Sequence, residues 1–300
     1  MIKHTLDISQ RPARLSLRKK QLILRFEDNE ERSFACEDIG VLMLQHPAIS
    51  LSAAILNALL ESGAVVIVCG ENHLPTGMLL PTTTHTELVP RMMAQFGADR
   101  PTRKRVWKAI VEAKIIAQSN HIDDPYRRRL RHLARNVKSG DSENAEAQAA
   151  KIYWSGRFPD RYRESDRRDP TSVSLFNSGL NYGYSIIRAT VARALVSAGL
   201  QPALGVFHHR RNNPYCLADD VMEPLRPLVD NTVRQILNSR ISSDPNSLTV
   251  EDRRQLLSLL THEVVVGESK GPLMVSLPKY ISSFFRMLTK ESNKLDVPTY

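Results

Sequence analysis

A chain of 300 residues can build one substantial core, or two domains of unequal size, without a disulfide framework to hold it. Its 41 Lys and Arg outnumber its 32 Asp and Glu, which favours an anionic partner but names nucleic acid only if the excess is clustered. Cys36, Cys69 and Cys216 form no CxxC pair, MIKHTLDISQ lacks the apolar core of a signal peptide, and no apolar run reaches the ~18 residues of a membrane span, so a reducing, cytoplasmic setting with no membrane insertion is expected.

From His4 to about Leu80 the texture is short and extended. RLSLRKKQLILRF alternates apolar and polar residues around a basic turn, the pattern of a half-buried sheet face. ERSFACEDIGVLML, AVVIVCG and TGMLL are further strand segments. SLSAAILNALLESG interrupts them with a helical pattern that Ser50 or Ser52 can cap and Gly63 can stop. These elements predict a small β-rich domain over residues 1–85, with 86–100 as a linker.

The character changes after PTTTHTELVPRM. Residues 100–138 carry 12 Lys and Arg against 3 Asp and Glu, and RVWKAIVEAKIIAQSN has the apolar spacing of a helix. The charge is therefore clustered, and Arg127, Arg128 and Arg129 are candidate phosphate contacts. A second basic string, GRFPDRYRESDRRDP, is broken by Pro159 and Pro170 and reads as a DNA-facing loop. LNYGYSIIRATVARALVSAG steps its apolar groups by three and four and finishes at Gly199. LADDVMEPLRPLVDNTVRQIL starts another helix whose prolines imply a bend, and TVEDRRQLLSLLTHEV and PKYISSFFRMLTKE supply two amphipathic helices. The expected fold class is α+β: the small N-terminal β-rich domain, then a larger, predominantly α-helical C-terminal domain over 101–300.

Two segments carry residues suited to chemistry. In GDSENAEAQAAKIYW, Ser142 can cap a helix, short Ala side chains allow close packing, and Glu143 and Glu146 recur one turn apart. Spacing alone does not choose between these glutamates. In LGVFHHRRNNPYCLADDVMEP, His208 stands at the rim of an apolar segment with His209 beside it, and Asp219, Asp220 and Glu223 follow. Asp220 and Glu223, three apart, share one helical face, where their charges repel unless a cation or a basic partner intervenes. An imidazole with two or three carboxylates suits a divalent ion, whereas helix-surface charge is the alternative. HExxH, Cys-rich zinc spacing, GxxxxGK[ST] and GxGxxG are absent, which disfavours a zinc protease, a P-loop ATPase or a dinucleotide oxidoreductase. Tyr153, Trp154, Phe158, Tyr162, Tyr182 and Tyr184 can either stack on bases or pack in a core.

Taken together, GDSENAEAQAAKIY, LNYGYSIIRATVARALVSAGLQPALGVFHH and LADDVMEPLRPLVD resemble the CRISPR-associated adaptation integrase family, in the short form of single-effector (type II) systems. The resemblance runs from near the first residue to near the last. It implies a metal site formed by Glu146, His208 and Glu223, with Asp220 as an additional acidic participant, binding Mg²⁺ or Mn²⁺. His208 is preferred over His209 because GVFH matches the family context, and Glu146 over Glu143 because it leads into AxAAKxY. The implied activity is joining the 3′ hydroxyls of a short captured duplex to the CRISPR array by transesterification, with DNA cleavage when water is the nucleophile. The implied partners are double-stranded DNA, a second copy of the chain joined through the N-terminal domain, a small ferredoxin-like adaptation subunit in a heterohexamer, and the RNA-guided effector nuclease. A repair nuclease and a noncatalytic DNA-binding scaffold are the competing readings.

Overall fold

The N-terminal strands form two four-stranded sheets. In the computed structural model, residues 3–70, 75–82, 85–158, 174–239 and 248–300 are described. The strands are β1 (His4–Ile8), β2 (Ala13–Arg18), β3 (Gln21–Phe26), β4 (Glu31–Ala35), β5 (Ile39–Leu44), β6 (Ile49–Leu51), β7 (Val65–Cys69) and β8 (Pro75–Leu79), with α1 (Ala53–Glu61) between β6 and β7. One sheet has the order β1-β5-β7-β8 and the other β4-β3-β2-β6. The basic turn is a two-residue hairpin loop: Arg18 pairs with Gln21, and Lys19 and Lys20 both take positive φ, 49° and 63°, as a twist-compatible hairpin requires. Ser52 is the residue before α1, and Gly63, at φ 75°, follows its end.

Strands β5 and β7 are buried on both faces, which is why IGVLML and VVIVC are nearly unbroken apolar runs. Leu42 and Val66 point into the small core with Leu15, Leu22, Ile55 and Leu59. On the opposite face Val41, Met43, Val65 and Ile67 join the core of the helical domain. Gln45 Nε2 adds polar contacts at this junction, donating to Asp7 Oδ1 at 2.6 Å and to the Tyr182 hydroxyl at 3.0 Å. Most of the stretch expected as a linker is α2 (Leu88–Gly97).

The helical domain contains α3 (Arg100–Asn120), α4 (Tyr126–Arg135), α5 (Ala145–Arg157), α6 (Leu175–Ser197), α7 (Cys216–Met222), α8 (Arg226–Ser239), α9 (Val250–Leu257) and α10 (Leu273–Leu288). The architecture is thus the α+β arrangement anticipated, a β-rich N-terminal domain followed by a helical one. Asp99 caps α3 by accepting from Thr102 N at 2.8 Å, with Pro101 in the first turn. Gly179 and Gly183 let α6 approach α8 closely: a Cβ on Gly183 would lie 2.4 Å from Val229 Cγ1. The expected bend falls where α7 ends at Met222, and Pro224 and Pro227 open the next two helical segments.

One helix expectation fails. TVEDRRQLLSLLTHEV is not continuous: Thr249 and Asp252 form a capping box at the start of α9, but the helix stops at Leu257, and EVVV becomes β9 (Glu263–Val266), paired with β10 (Ser269–Pro272). Consecutive β-branched valines prefer the sheet, where Val264 and Val266 are buried and Val265 faces out. Among the described residues, no helix is long and apolar enough to cross a membrane.

Candidate active site

Gly205 begins a tight loop that wraps the Asp220 carboxylate. Asp220 is fully buried on α7, and its oxygens accept from the backbone N–H groups of Val206 at 2.7 Å, Phe207 at 3.0 Å and His208 at 3.2 Å. A Cβ on Gly205 would meet the His208 carbonyl oxygen at 2.3 Å and Asp220 Oδ2 at 2.9 Å, so this close approach requires glycine. His208 Nδ1 lies 2.6 Å from Asp220 Oδ1. That hydrogen bond raises the His208 pKa above its ordinary value, against the opposing effect of burial. Trp107 on α3 closes the other side, stacked on Phe207 at a centroid distance of 4.1 Å and meeting the His208 ring edge-on at 5.8 Å.

Glu146 enters from a different segment. It lies in the first turn of α5, whose start is capped not by Ser142 but by Asp141, which accepts from Ala145 N at 2.7 Å and Glu146 N at 3.1 Å. Asn144 precedes the helix at φ 56°, so the chain turns sharply enough for Asp141 to reach these groups. Glu143 lies outside the helix and is exposed, which separates it from Glu146. Buried Ala145 and Ala149 bring α5 close to its neighbours, as their small size anticipates.

Glu146 and Glu223 meet at Lys114. The Lys114 ammonium on α3 lies 2.5 Å from Glu146 Oε1 and 2.5 Å from Glu223 Oε2. Glu223 begins a 3₁₀ turn after α7, and its other oxygen accepts from Arg226 Nε at 2.7 Å. Burial alone would push the Glu223 carboxyl up, but Arg226 and Lys114 outweigh it and hold the pKa down to about 2. The same balance works in reverse on Lys114: burial lowers its pKa, and Glu223 and Glu146 more than offset this, leaving it raised.

The four predicted site residues therefore fall into two adjoining pairs. Glu146 and Glu223 share an ammonium, whereas His208 is bonded to Asp220, whose oxygens are already occupied by four donors. Among the described residues, no three His, Cys, Asp or Glu side chains converge on one point. Asp219, the remaining acid of the cluster, pairs with Arg188 Nε at 2.7 Å and accepts from Asn213 Nδ2 at 2.7 Å. The basic partners that the closely spaced acids call for are thus Lys114, Arg226 and Arg188. Sequence reasoning missed Lys114, although a signal was present: it shares the α3 stripe of Trp107, Ile110, Val111 and Ile115, a core position for a charged side chain.

Around the site the surface is basic. A cavity of about 560 Å³ beside His208 is lined by Arg100, Arg103, Lys104, Trp107, Phe207 and His209, among others. On α4, Arg128 and Arg129 are exposed, whereas Arg127 is half-buried and donates from Nε to the Ile122 carbonyl at 2.9 Å. Tyr153, Phe158, Tyr182 and Tyr184 are buried and pack in the core, and Trp154 is half-buried. Tyr162 and the GRFPDRYRESDRRDP string from Pro159 onward lie outside the described residues.

An α+β protein whose helical domain gathers two glutamates, a lysine and an Asp-oriented histidine beside a basic cavity is the class that fold and site define. The family model described as CRISPR associated protein Cas1 matches residues 6–264, and the chain belongs to that family. It is 34% identical over 295 residues to the CRISPR-associated endonuclease Cas1 of Neisseria meningitidis serogroup C, covering 96% of this chain and 94% of that protein. Its fold is similar to a casposase bound to integration product, with TM-score 0.78 at 22% identity, covering 98% of this chain and 93% of that one. It is also similar to a chain of a Cas6-RT-Cas1–Cas2 complex, with TM-score 0.75 at 17% identity, covering 98% of this chain and 36% of the longer one.

Proposed function

We propose that this chain is a metal-dependent DNA integrase and endonuclease of CRISPR spacer acquisition, in the short form that accompanies a single RNA-guided effector (type II). The observation that carries the reading is the convergence of Glu146 and Glu223 on one cation, the Lys114 ammonium, next to an imidazole oriented by Asp220. An ammonium held between two carboxylates is a stand-in for a metal ion, and two carboxylates with an imidazole are a fitting donor set for Mg²⁺ or Mn²⁺. Glu146, His208 and Glu223 would hold that ion. When bound, it supplies Lewis-acid polarisation of a phosphodiester.

The chain's own residues prepare the rest. Asp220 fixes His208 by accepting from Nδ1–H, which leaves the Nε2 lone pair as the ring's ligand atom. Arg226 occupies one oxygen of Glu223 and so directs the other into the site. The basic residues of α3 and α4 bind DNA phosphates without reading sequence. The nucleophile belongs to DNA: a 3′ hydroxyl of the captured duplex forms a new phosphodiester as one in the array breaks, so the reaction needs no ATP. When water attacks in place of the 3′ hydroxyl, the phosphodiester is hydrolysed and the DNA is cut.

For partners, we propose double-stranded DNA, a homodimer joined through the β-rich domain, and a heterohexamer in which two such dimers flank a dimer of a small ferredoxin-like adaptation subunit. The fold likeness to a chain of a Cas6-RT-Cas1–Cas2 complex supports association with a second adaptation subunit. Association with the RNA-guided effector completes the reading. The test is transfer of a labelled short duplex with free 3′ hydroxyls into a supercoiled CRISPR-array plasmid, with the small subunit and Mg²⁺ or Mn²⁺. Covalent joining that Glu146→Ala, His208→Ala and Glu223→Ala abolish is the expected result. Cutting without joining would replace the integrase by a nuclease. Neither product from folded, DNA-bound protein would leave a scaffold.

A further inference from the structure

We infer that Lys114 is a built-in counter-ion: its ammonium holds Glu146 and Glu223 together in the metal-free protein and is displaced when a divalent cation binds between them. The inference rests on the metal-site reading above. It starts from burial, because the Lys114 side chain is 10% exposed and Glu223 5%, whereas Glu146 is 27% exposed. Two carboxylates from distant segments repel each other at this depth, so their convergence requires a positive charge. Lys114 and Arg226 balance Glu146 and Glu223 charge for charge. A divalent ion added to that neutral set would leave an excess of two positive charges in a mostly buried site, so one resident cation has to go.

The contacts choose which one. Arg226 is held at Glu223 Oε1 and over the Tyr184 ring, 4.7 Å from its centroid, and its rigid guanidinium cannot leave without losing both contacts. Lys114 has only its two glutamates among the described residues, at 2.5 Å each. Its ammonium sits on a flexible four-carbon stem, and the more exposed Glu146 marks the side on which it can swing out. The ammonium thus keeps both carboxylates converged for the incoming ion, at the expense of competing with it.

The test measures Mn²⁺ binding by electron paramagnetic resonance on the full chain, without DNA, together with thermal melting in EDTA. Lys114→Met is expected to bind Mn²⁺ about tenfold or more tighter, since removing a unit positive charge a few ångströms from a cation site has at least that effect. It is also expected to melt lower than wild type in EDTA. Lys114→Gln keeps a polar group at the position and serves if the Met variant fails to fold. In wild type, Mn²⁺ is expected to speed acetylation of Lys114, followed by mass spectrometry, and this readout requires no variant. Unchanged or weaker Mn²⁺ binding in the lysine variants, or acetylation indifferent to Mn²⁺, overturns the inference. If Glu223→Gln abolishes Mn²⁺ binding while the lysine variants leave it unchanged, the inference alone falls. If Glu223→Gln leaves binding intact, the metal-site reading falls with it.

Discussion

Asp220 illustrates how a single buried carboxylate can organise the loop around it. Three backbone N–H groups and one imidazole converge on it, so its charge is spent on shaping the loop that presents His208. Asp220→Asn replaces one carboxylate oxygen by an NH2 group that cannot accept from N–H donors. A loss of about 2 kcal/mol of stability is expected from the charged hydrogen bonds removed. The His208 pKa should fall with it, since that bond is the main cause of its elevation. Denaturant unfolding and an NMR titration of the imidazole measure the two effects, and an unmoved His208 pKa would refute the orienting role. Asp220 was recognisable from sequence as part of an acidic cluster. Its task was not, because an acid facing N–H groups and an acid facing a cation look alike until the loop from Gly205 is placed around it.

Helices and strands differ in how far local pattern exposed them. The long apolar repeats of α3 and α6 were legible, and so was the proline bend between α7 and α8, because periodicity and proline act within one element. The end of α9 was not: LLSLLTHEV keeps enough apolar residues to continue a helix, and only pairing with β10 selects the strand. The cap of α5 was misplaced for a similar reason, since Ser142 is a good capping residue by type whereas Asp141 reaches the free N–H groups by geometry. Tight packing of α6 on α8 gives a test at this scale. Gly183→Ala inserts a methyl into the space of Val229 and is expected to cost about 1–3 kcal/mol, measured by denaturant unfolding; a neutral substitution would mean that the helices are not in close contact. At the C-terminal end of α3, His121 stacks on Tyr300, and its buried Nε2 has no partner among the described residues. Burial, with Arg157 and His262 nearby, lowers its pKa from 6.5 to about 4. The unfolded chain therefore takes up this proton first, and stability is lost as pH falls from about 6.5 to 4. His121→Phe should flatten that part of the melting-temperature profile, and an unchanged slope would assign the acid sensitivity elsewhere.

Across the whole molecule, the excess of basic residues falls in the sequence of the helical domain. Removing the charges of exposed Arg128 and Arg129 together should weaken DNA binding and reduce the slope of log affinity against log salt by about two. An unchanged slope would exclude both as phosphate contacts. Arg127 is a poorer choice for this experiment, because its bond to the Ile122 carbonyl makes its loss a structural change as well. The two-domain texture was readable from composition, but not the extent to which the domains share material: nothing local in IGVLML or VVIVC says that the second face of each strand belongs to another core. That sharing has a mechanical consequence. Bending the β-rich domain away from the helices would pull Val41, Met43, Val65 and Ile67 out of apolar contact, so a hinge at this junction is resisted by the core itself. If two copies join through their sheets, each acts as a caliper arm of fixed length, and the span between the two reaction centres is gauged by the angle at which the copies meet.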